Sequence, residues 1–174
     1  NEEFIMVLKK IYTEFSHLSE YTQSIGLLGL RLMLAYTFFQ PAMVKWSDMS
    51  SVIAWFASMG IPFPTLNAYM AASTEIAGVV LLTLGLFTRL ISIPLIVIMF
   101  VAIATVHGVN GFAFVQEGSE VINAYINGEL VEGTMIKLQN GYELVLYYIL
   151  MLLVLFGQGG GKFSLDRLIF GEKN

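Results

Sequence analysis

Apolar residues occur along the chain in four long runs, each at or near the length that crosses a lipid bilayer. The runs are residues 25–45, 66–86, 90–107 and 141–157, of which the last two are close to the short limit. A membrane-spanning helix needs about 20 predominantly apolar residues. The pattern therefore predicts an all-α membrane protein, a single domain over residues 1–174 that forms a four-transmembrane-helix bundle.

The two terminal segments are amphipathic rather than uniformly apolar. Residues 1–24 have apolar side chains at three- and four-residue steps with lysine and glutamate between them, which indicates a helix lying on the membrane surface. A helix packed on a partner protein would show the same periodicity. Residues 158–174 are expected to form a cytoplasmic tail, in which glycines end the fourth span and Ser164 caps a short interfacial helix that runs to Phe170.

Two stretches between the runs are predicted to lie on the outer side without crossing the membrane. Residues 50–60 are apolar but too short to span, and two prolines follow them, so we expect an interfacial or re-entrant helix there. Residues 108–139 are long for a connection. They contain Asn127-Gly128 between β-like runs, which is the strongest short-range hairpin signal. This stretch predicts a small outer hairpin.

Composition agrees with a membrane protein and excludes several kinds of site. Of the 174 residues, 56% are hydrophobic and 13% are charged, whereas soluble domains have about 25% charged residues. The chain contains no cysteine, which excludes thiolate metal sites and a cysteine redox centre. The formal net charge is −4, and no basic stripe is present, so nucleic acid is not an expected partner. The expected partner is the lipid bilayer.

Basic residues predict the orientation of the chain in the membrane. With four spans, both termini lie on the same side as the turn at Arg89, and that side is richer in lysine and arginine. It contains Lys9, Lys10, Arg89, Lys162, Arg167 and Lys173, whereas the other side contains Lys45 and Lys137. The positive-inside tendency then places both termini in the cytoplasm. The expected location is a prokaryotic cytoplasmic (inner) membrane.

Two charged residues stand inside the predicted spans. Glu75 lies near mid-membrane in the second run, and Arg31 lies several residues from the cytoplasmic end of the first. An unpaired charge at such a depth costs roughly 3 kcal/mol or more, so we expect Arg31 and Glu75 to form an ion pair. Small residues on the helical face of Glu75 indicate that it faces protein. If the pair forms, it can serve simply to hold two helices together. If Glu75 is instead unpaired, burial disfavours the charged form of its carboxyl and makes it a proton carrier.

A second set of polar residues marks the outer ends of the spans. Its members are Gln40, Lys45, His107, Tyr142 and Glu143. Aromatic and imidazole rings at span ends often only anchor a helix at headgroup depth. Alternatively, these groups together hold a polar head group or relay protons. The other histidine, His17, belongs to the cytoplasmic side, so neither a bis-histidine haem site nor a metal site is expected.

Four stretches of the sequence carry motifs that point to one family. They are RLMLAYTFFQPAMVKW (31–46), GIPFPTLNAYMAASTEIAGVVLLTLGLFTRL (60–90), HGVNGF (107–112) and NGYELVLYYILMLLVLFGQGGGKFSLDRLI (140–169). Together they resemble the DoxX family of small four-span membrane proteins. The more specific elements are E-x-x-G, G-L-x-T-R, N-G-Y-E-L and S-L-D. The chain departs from many relatives at Gln40-Pro41 and in the loop that contains Asn127-Gly128.

The resemblance implies a set of recurring polar positions and a link to redox metabolism. The positions are Arg31, Lys45, Glu75, Arg89, His107, Glu143 and Asp166. The family includes the membrane subunit of a thiosulfate:quinone oxidoreductase, and other members are linked to sulfur, thiol or oxidative-stress metabolism. Fold and membrane location are therefore expected to follow the family, whereas the roles of the polar residues are left open.

Three functions are compatible with these patterns. The first is a quinone-linked or redox-associated membrane subunit, with a quinone as cofactor and a redox partner protein as the source of electrons. Its catalytic candidates are Glu75, His107 and Glu143, and its ligand-binding candidates are Arg31, Gln40, Lys45 and Tyr142. The second is a binding or transport module for a small molecule, and the third is a structural scaffold for a membrane complex. A homo-oligomer is compatible with all three.

Overall fold

The structure is a computed structural model that describes residues 2–113, 116–126, 129–139 and 141–171. The chain divides into two compact units. One contains Asn1–Ile96 and Met151–Asn174, and the other contains Val97–Leu150. The charged residues predicted inside the spans belong to the first unit, and the outer hairpin belongs to the second.

The first helix, α1 (Glu2–Ser47), is continuous over 46 residues. The segment predicted over residues 1–24 is helical, but no break separates it from the first span. No proline occurs in the helix before Pro41, and the Thr13 hydroxyl donates to the Lys9 carbonyl of its own helix at 2.8 Å, so nothing ends the helix between the two segments. The position of residues 1–24 on the membrane surface stays a prediction.

A short helix, α2 (Met49–Ser58), follows where residues 50–60 predicted a helix too short to cross the membrane. Its N-cap is Asp48, whose carboxylate accepts a hydrogen bond from the Ser51 amide at 3.1 Å. Such a cap satisfies one of the amide groups that the first turn of a helix leaves without partners. The predicted short helix is therefore confirmed.

The third helix, α3 (Pro64–Leu84), packs against α2 through small and apolar side chains. Val52 and Phe56 of α2 are buried with Ala68 of α3. Further along α3, a Cβ atom on Gly78 would lie only 3.0 Å from the side chain of Leu95, in the next helix. The small residues of α3 thus allow the close approach of neighbouring helices that membrane bundles require.

A tight turn joins α3 to the fourth helix, α4 (Thr88–Ala102). Gly85 ends α3 with φ of +66°, and the Leu86 amide donates back to the Leu81 carbonyl at 2.9 Å. This is the usual glycine termination of a helix. Phe87 also has a positive φ, 49°, which is uncommon for a bulky residue. Surrounding contacts must therefore hold the turn in place.

The apolar stretch that begins at Thr88 continues beyond α4. A π-helical turn, Ile103–His107, and a 3₁₀ turn, Gly108–Asn110, extend it. The Gly108 amide donates to the Ile103 carbonyl and closes the wider turn. Turns of this kind are often found at functional sites, and His107 lies at the end of this one.

The predicted hairpin is confirmed, whereas its place on the outer side stays a prediction. Strands β1 (Gln116–Ile126) and β2 (Glu129–Gln139) pair antiparallel, with Ile126 opposite Glu129 at one end of the ladder. The Asn127-Gly128 pair that predicted the connection lies outside the described residues.

The chain ends in a longer apolar helix and a short one. Helix α5 (Glu143–Gln158) stops before Gly159, which has φ of +76°. Helix α6 (Leu165–Phe170) begins at Ser164, whose hydroxyl accepts a hydrogen bond from the Arg167 amide at 3.3 Å. The predicted glycine stop and the predicted serine cap are both confirmed.

Among the described residues, three helical stretches are long and apolar enough to cross a membrane. They are Tyr21–Ser47, Pro64–Leu84 and Thr88–Asn110. Two shorter apolar helices, α2 and α5, are also described. Helix α5, with 16 residues, lies where the sequence predicted a short fourth span. The chain is therefore an α-helical integral membrane protein, and its described residues also include a small hairpin.

Candidate functional site

Glu75 forms a buried ion pair with Lys45. The Lys45 Nζ atom donates to both Oε1 and Oε2 of Glu75, each at 2.8 Å. The side chains are 15% and 4% exposed, respectively. Lys45 lies in the last turn of α1 and Glu75 lies in the middle of α3. A charge pair this well enclosed is an unusual feature inside a membrane span and is the first candidate for function.

The predicted ion pair between Arg31 and Glu75 is wrong. Arg31 instead donates from Nη2 to the Phe163 carbonyl at 2.6 Å, and its guanidinium lies against Gly85 at the end of α3. The reason is axial separation. Arg31 precedes Lys45 by 14 residues, which is about 21 Å along a helix, so α1 can present only one of the two cations at the level of Glu75.

The face of α3 that contains Glu75 is turned into the protein, as predicted. Ala68 and Ala72 are wholly buried, and Glu75 is nearly so. Trp46, next to Lys45, donates from Nε1 to the Ala72 carbonyl at 3.3 Å, and its ring packs edge-on against Tyr69 with centroids 6.0 Å apart. These contacts join α1 to α3 beside the ion pair. Sequence reasoning missed Trp46 because the direction of an indole ring is not encoded in helical periodicity.

Arg31 is the centre of a second buried polar cluster in the same unit. Its side chain is fully buried, and Asp166 interacts with it electrostatically. A Cβ atom on Gly85 would lie 1.4 Å from Nη1 of Arg31, so the absence of a side chain at position 85 makes room for the guanidinium. Within the described part of the chain, Nε and Nη1 of Arg31 have no hydrogen-bond partner.

Asp166 ties the segment after α5 to the turn between α3 and α4. Its carboxylate accepts hydrogen bonds from the amides of Phe87 at 2.6 Å and Thr88 at 2.9 Å. Its own amide donates to the Gly85 carbonyl at 2.9 Å. The carboxylate therefore caps the N-terminus of α4, where negative charge is favourable. The family resemblance singled out Asp166 as a recurring polar position, but no role at the site was predicted for it. The S-L-D and G-L-x-T-R motifs were the signal that could have found this contact.

The second unit contains its own junction, between residues 111–113 and the start of α5. The amides of Gly141, Tyr142 and Glu143 donate to the carbonyls of Ala113, Gly111 and Phe112, respectively, at 3.0, 3.1 and 2.9 Å. The ring of Tyr142 packs edge-on against Phe112, with centroids 5.4 Å apart. A Cβ atom on Gly141 would lie 2.3 Å from the Ala113 carbonyl oxygen. This junction joins the segment that precedes the hairpin to the segment that follows it.

The predicted outer set is thus divided between the units. Tyr142 and Glu143 belong to the junction just described, and the Glu143 carboxylate accepts a hydrogen bond from the Tyr147 hydroxyl. His107 ends the π-helical turn of the same unit. Lys45 pairs with Glu75 in the other unit, and Gln40 is exposed on α1. Throughout the described ranges, no group of three or more histidine, aspartate or glutamate side chains could hold a metal ion.

Comparisons with known proteins agree with the motifs. A sequence model of the DoxX family matches residues 7–108. An uncharacterized protein of Haemophilus influenzae is 31% identical over 153 residues, which cover 83% of each chain. "Inner membrane protein YphA" of Escherichia coli is 27% identical over 144 residues, which cover 81% of this chain and 88% of YphA.

A third relative has a name that refers to redox chemistry. "Putative oxidoreductase CatD" of Bacillus subtilis is 35% identical over 82 residues, which cover 47% of this chain and 60% of CatD. No solved structure matches the chain.

Proposed function

The chain belongs to the DoxX family, and we propose that it is the membrane subunit of a quinone-linked oxidoreductase in which Lys45 and Glu75 bind the quinone head group. The observation that carries the proposal is the buried ion pair between these residues. The name of CatD supports a redox role. The name of YphA supports an inner-membrane location, and the distribution of lysine and arginine favours cytoplasmic termini.

The donor count of Lys45 fits a quinone. A lysine ammonium has three N–H donors, and Glu75 accepts two of them. Among the described residues the third has no acceptor, so it can bond to a carbonyl oxygen, which is the acceptor that a quinone presents. The partial exposure of Lys45, 15% against 4% for Glu75, places the lysine at the accessible side of the pair.

Apolar surface lies close to the ion pair. An open recess of about 490 Å³ adjoins the first turns of α3 and is lined by Phe63, Pro64, Thr65, Leu66 and Tyr69. Tyr69 contacts Trp46, the neighbour of Lys45. A mostly apolar recess with a nearby cation is the usual composition of a site for a small hydrophobic ligand with a polar head.

A bound quinone would accept two electrons and two protons to become a quinol. In this chain, Lys45 Nζ would donate one proton to a reduced quinone oxygen, and solvent would supply the second proton at the other oxygen. The lysine would then regain a proton from solvent, which the negative charge of Glu75 favours. The electrons would come from a partner subunit with its own redox cofactor, because a chain without cysteine cannot ligate an iron–sulfur cluster through thiolates.

The proposal is tested by mass spectrometry of an organic extract of the detergent-purified protein. We expect about one quinone per chain in the wild type and loss of the quinone in Lys45→Gln and Glu75→Gln. Lys162→Gln, which changes an exposed lysine, is the matched control and should retain it. A folded wild type with no more quinone than an unrelated membrane protein of the same size would contradict the proposal, as would retention in both variants.

A structural scaffold is the second candidate function. The observation that favours it is that Lys45 already satisfies both carboxylate oxygens of Glu75. On this reading the pair serves to join α1 and α3, because Glu75 needs no further partner. The scaffold predicts that an apolar replacement of both residues preserves function, whereas the redox proposal predicts that the same double variant loses the quinone.

A further inference from the structure

A recess at the opposite end of the bundle from Lys45 combines a cation with apolar walls. It has a volume of about 270 Å³ and is lined by Phe87, Arg89, Leu90, Asp166 and Phe170. The rings of Phe87 and Phe170 face each other across 5.7 Å between centroids. This recess is formed by the turn between α3 and α4 together with α6, and it has no part in the proposed quinone site.

The recess contains an exposed cation, Arg89, and an aspartate that is engaged by the backbone of the turn. Asp166 is buried, and both of its carboxylate oxygens accept backbone amides of the turn. The negative charge of Asp166 therefore interacts with the amides at the start of α4 and with Arg31. Arg89 is exposed, and the neighbouring segment adds two more exposed cations, Lys162 and Arg167. An anionic group is thus the ligand that the charges favour.

The ends of the two candidate spans that meet at the recess are expected to lie at the depth of lipid head groups. The spanning stretch Thr88–Asn110 begins at the recess, and Pro64–Leu84 ends just before it. Leu90, one wall of the recess, is exposed and continuous along α4 with Ile93, which is exposed as well. The surface of the recess thus continues directly into the surface that faces the acyl chains.

Helix α6 adds a strongly apolar edge. Leu168 is 80% exposed, and Ile169 and Phe170 are more than half exposed. A short helix with such side chains, fixed at the end of a span, places them in the interface between head groups and acyl chains. Phe87, with its uncommon positive φ, is held beside this helix because its amide is bonded to Asp166.

We propose that this recess binds the phosphate of an anionic phospholipid, with Arg89 as the principal cation and with the walls formed by Phe87, Leu90 and Phe170 in contact with the upper part of an acyl chain. The continuity of the recess with the lipid-facing surface of α4 favours a lipid over a protein partner. The predicted cytoplasmic orientation would bring Arg89, Lys162 and Arg167 to the leaflet whose acidic lipids are attracted by juxtamembrane lysine and arginine.

The test is native mass spectrometry of the full chain in detergent with equal amounts of phosphatidylglycerol and phosphatidylcholine of the same acyl chains. We expect the wild type to retain phosphatidylglycerol preferentially. Arg89→Gln should reduce that preference about fivefold, since one cation near the surface contributes roughly this much to the binding of an acidic lipid. Arg89→Lys should keep most of it, and Lys10→Gln, which removes a cation far from the recess, should keep all of it.

Several outcomes would overturn the proposal. One is a wild type that binds the two lipids equally, and another is an Arg89→Gln protein with an unchanged preference. Displacement of phosphatidylglycerol by glycerol phosphate at equal concentration would show that the acyl contact is absent and that a free phosphate ester is the ligand. Loss of preference in Arg89→Lys to the same extent as in Arg89→Gln would show that charge is not what the site recognises.

Discussion

The guanidinium of Arg31 occupies the place that a side chain on Gly85 would fill. A Cβ atom at position 85 would lie 1.4 Å from Nη1, and Gly85 has φ of +66°. Gly85→Ala should therefore destabilise the protein by about 3 kcal/mol, because a left-handed conformation and an overpacked site both oppose the new methyl group.

Gly157→Ala is the matched control for Gly85→Ala. A Cβ atom on Gly157 would meet nothing within 4 Å, and the residue lies inside helix α5. Alanine there should raise stability by about 0.5 kcal/mol. Unfolding in mixed micelles of increasing denaturing detergent measures both variants. Equal free energies of unfolding for the Gly85→Ala and Gly157→Ala variants would contradict the placement of Arg31.

The cap that Asp166 provides for α4 predicts a graded response to substitution. Asp166→Ala leaves the amides of Phe87 and Thr88 without an acceptor and should cost about 3 kcal/mol. Asp166→Asn keeps one acceptor oxygen and should cost about half as much. Hydrogen exchange of the two amides reports the effect directly. Protection that is unchanged in Asp166→Ala would show that the carboxylate is not their acceptor.

The ion pair between Lys45 and Glu75 predicts strong coupling between the two positions. Lys45→Met leaves a buried carboxylate without its partner and should destabilise the protein by about 3–5 kcal/mol. The double variant Lys45→Met, Glu75→Leu should recover most of that loss, because no unpaired charge remains. Denaturation midpoints measure the cycle, with Gln23→Ala, which removes an exposed hydrogen bond to Gln158, as the control. Additive effects of the two substitutions would rule out direct pairing.

The cap of α2 predicts a pH-dependent contact outside the spans. Hydrogen bonds from the Ser51 hydroxyl, the Ser50 hydroxyl and the Ser51 amide lower the pKa of Asp48 from 3.8 to about 2. Because the pKa is lower in the folded state, the cap is complete above about pH 4 and is lost as the pH falls through about 2. A nuclear magnetic resonance titration of the Ser51 amide should have its midpoint near the lower value. A midpoint near 3.8 would contradict the cap, and Ser51→Ala should move the midpoint upward.

The positions of the spans could be predicted from the sequence because burial in lipid selects for composition, which is local information. The second run was predicted at 66–86 and the helix is Pro64–Leu84. The hairpin could be predicted for a similar reason, since Asn-Gly between β-like runs specifies a turn through backbone geometry alone. Both predictions depend on neighbours in the chain.

The partner of Glu75 could not be predicted in this way. It depends on how far α1 slides along α3 and on how each helix is rotated, and neither is encoded in the periodicity of one helix. The sequence placed Lys45 at the outer end of the first span and Glu75 near mid-membrane, so the two were not expected to meet. In the structure Lys45 lies at the level of Glu75, and Arg31 lies at the level of Gly85. The tie between Asp166 and Thr88 joins positions 78 residues apart and was equally inaccessible to local patterns.

The 16 residues of α5 extend about 24 Å, whereas the hydrocarbon layer of a typical bilayer is about 30 Å thick. If α5 crosses the membrane, the bilayer must become thinner around it, or other protein must shield the polar ends of the helix from the hydrocarbon layer. A hydrophobic mismatch of this size favours thinner bilayers, and it also favours association of α5 with a second protein. The length of one helix thus links the choice of membrane to the choice of neighbour.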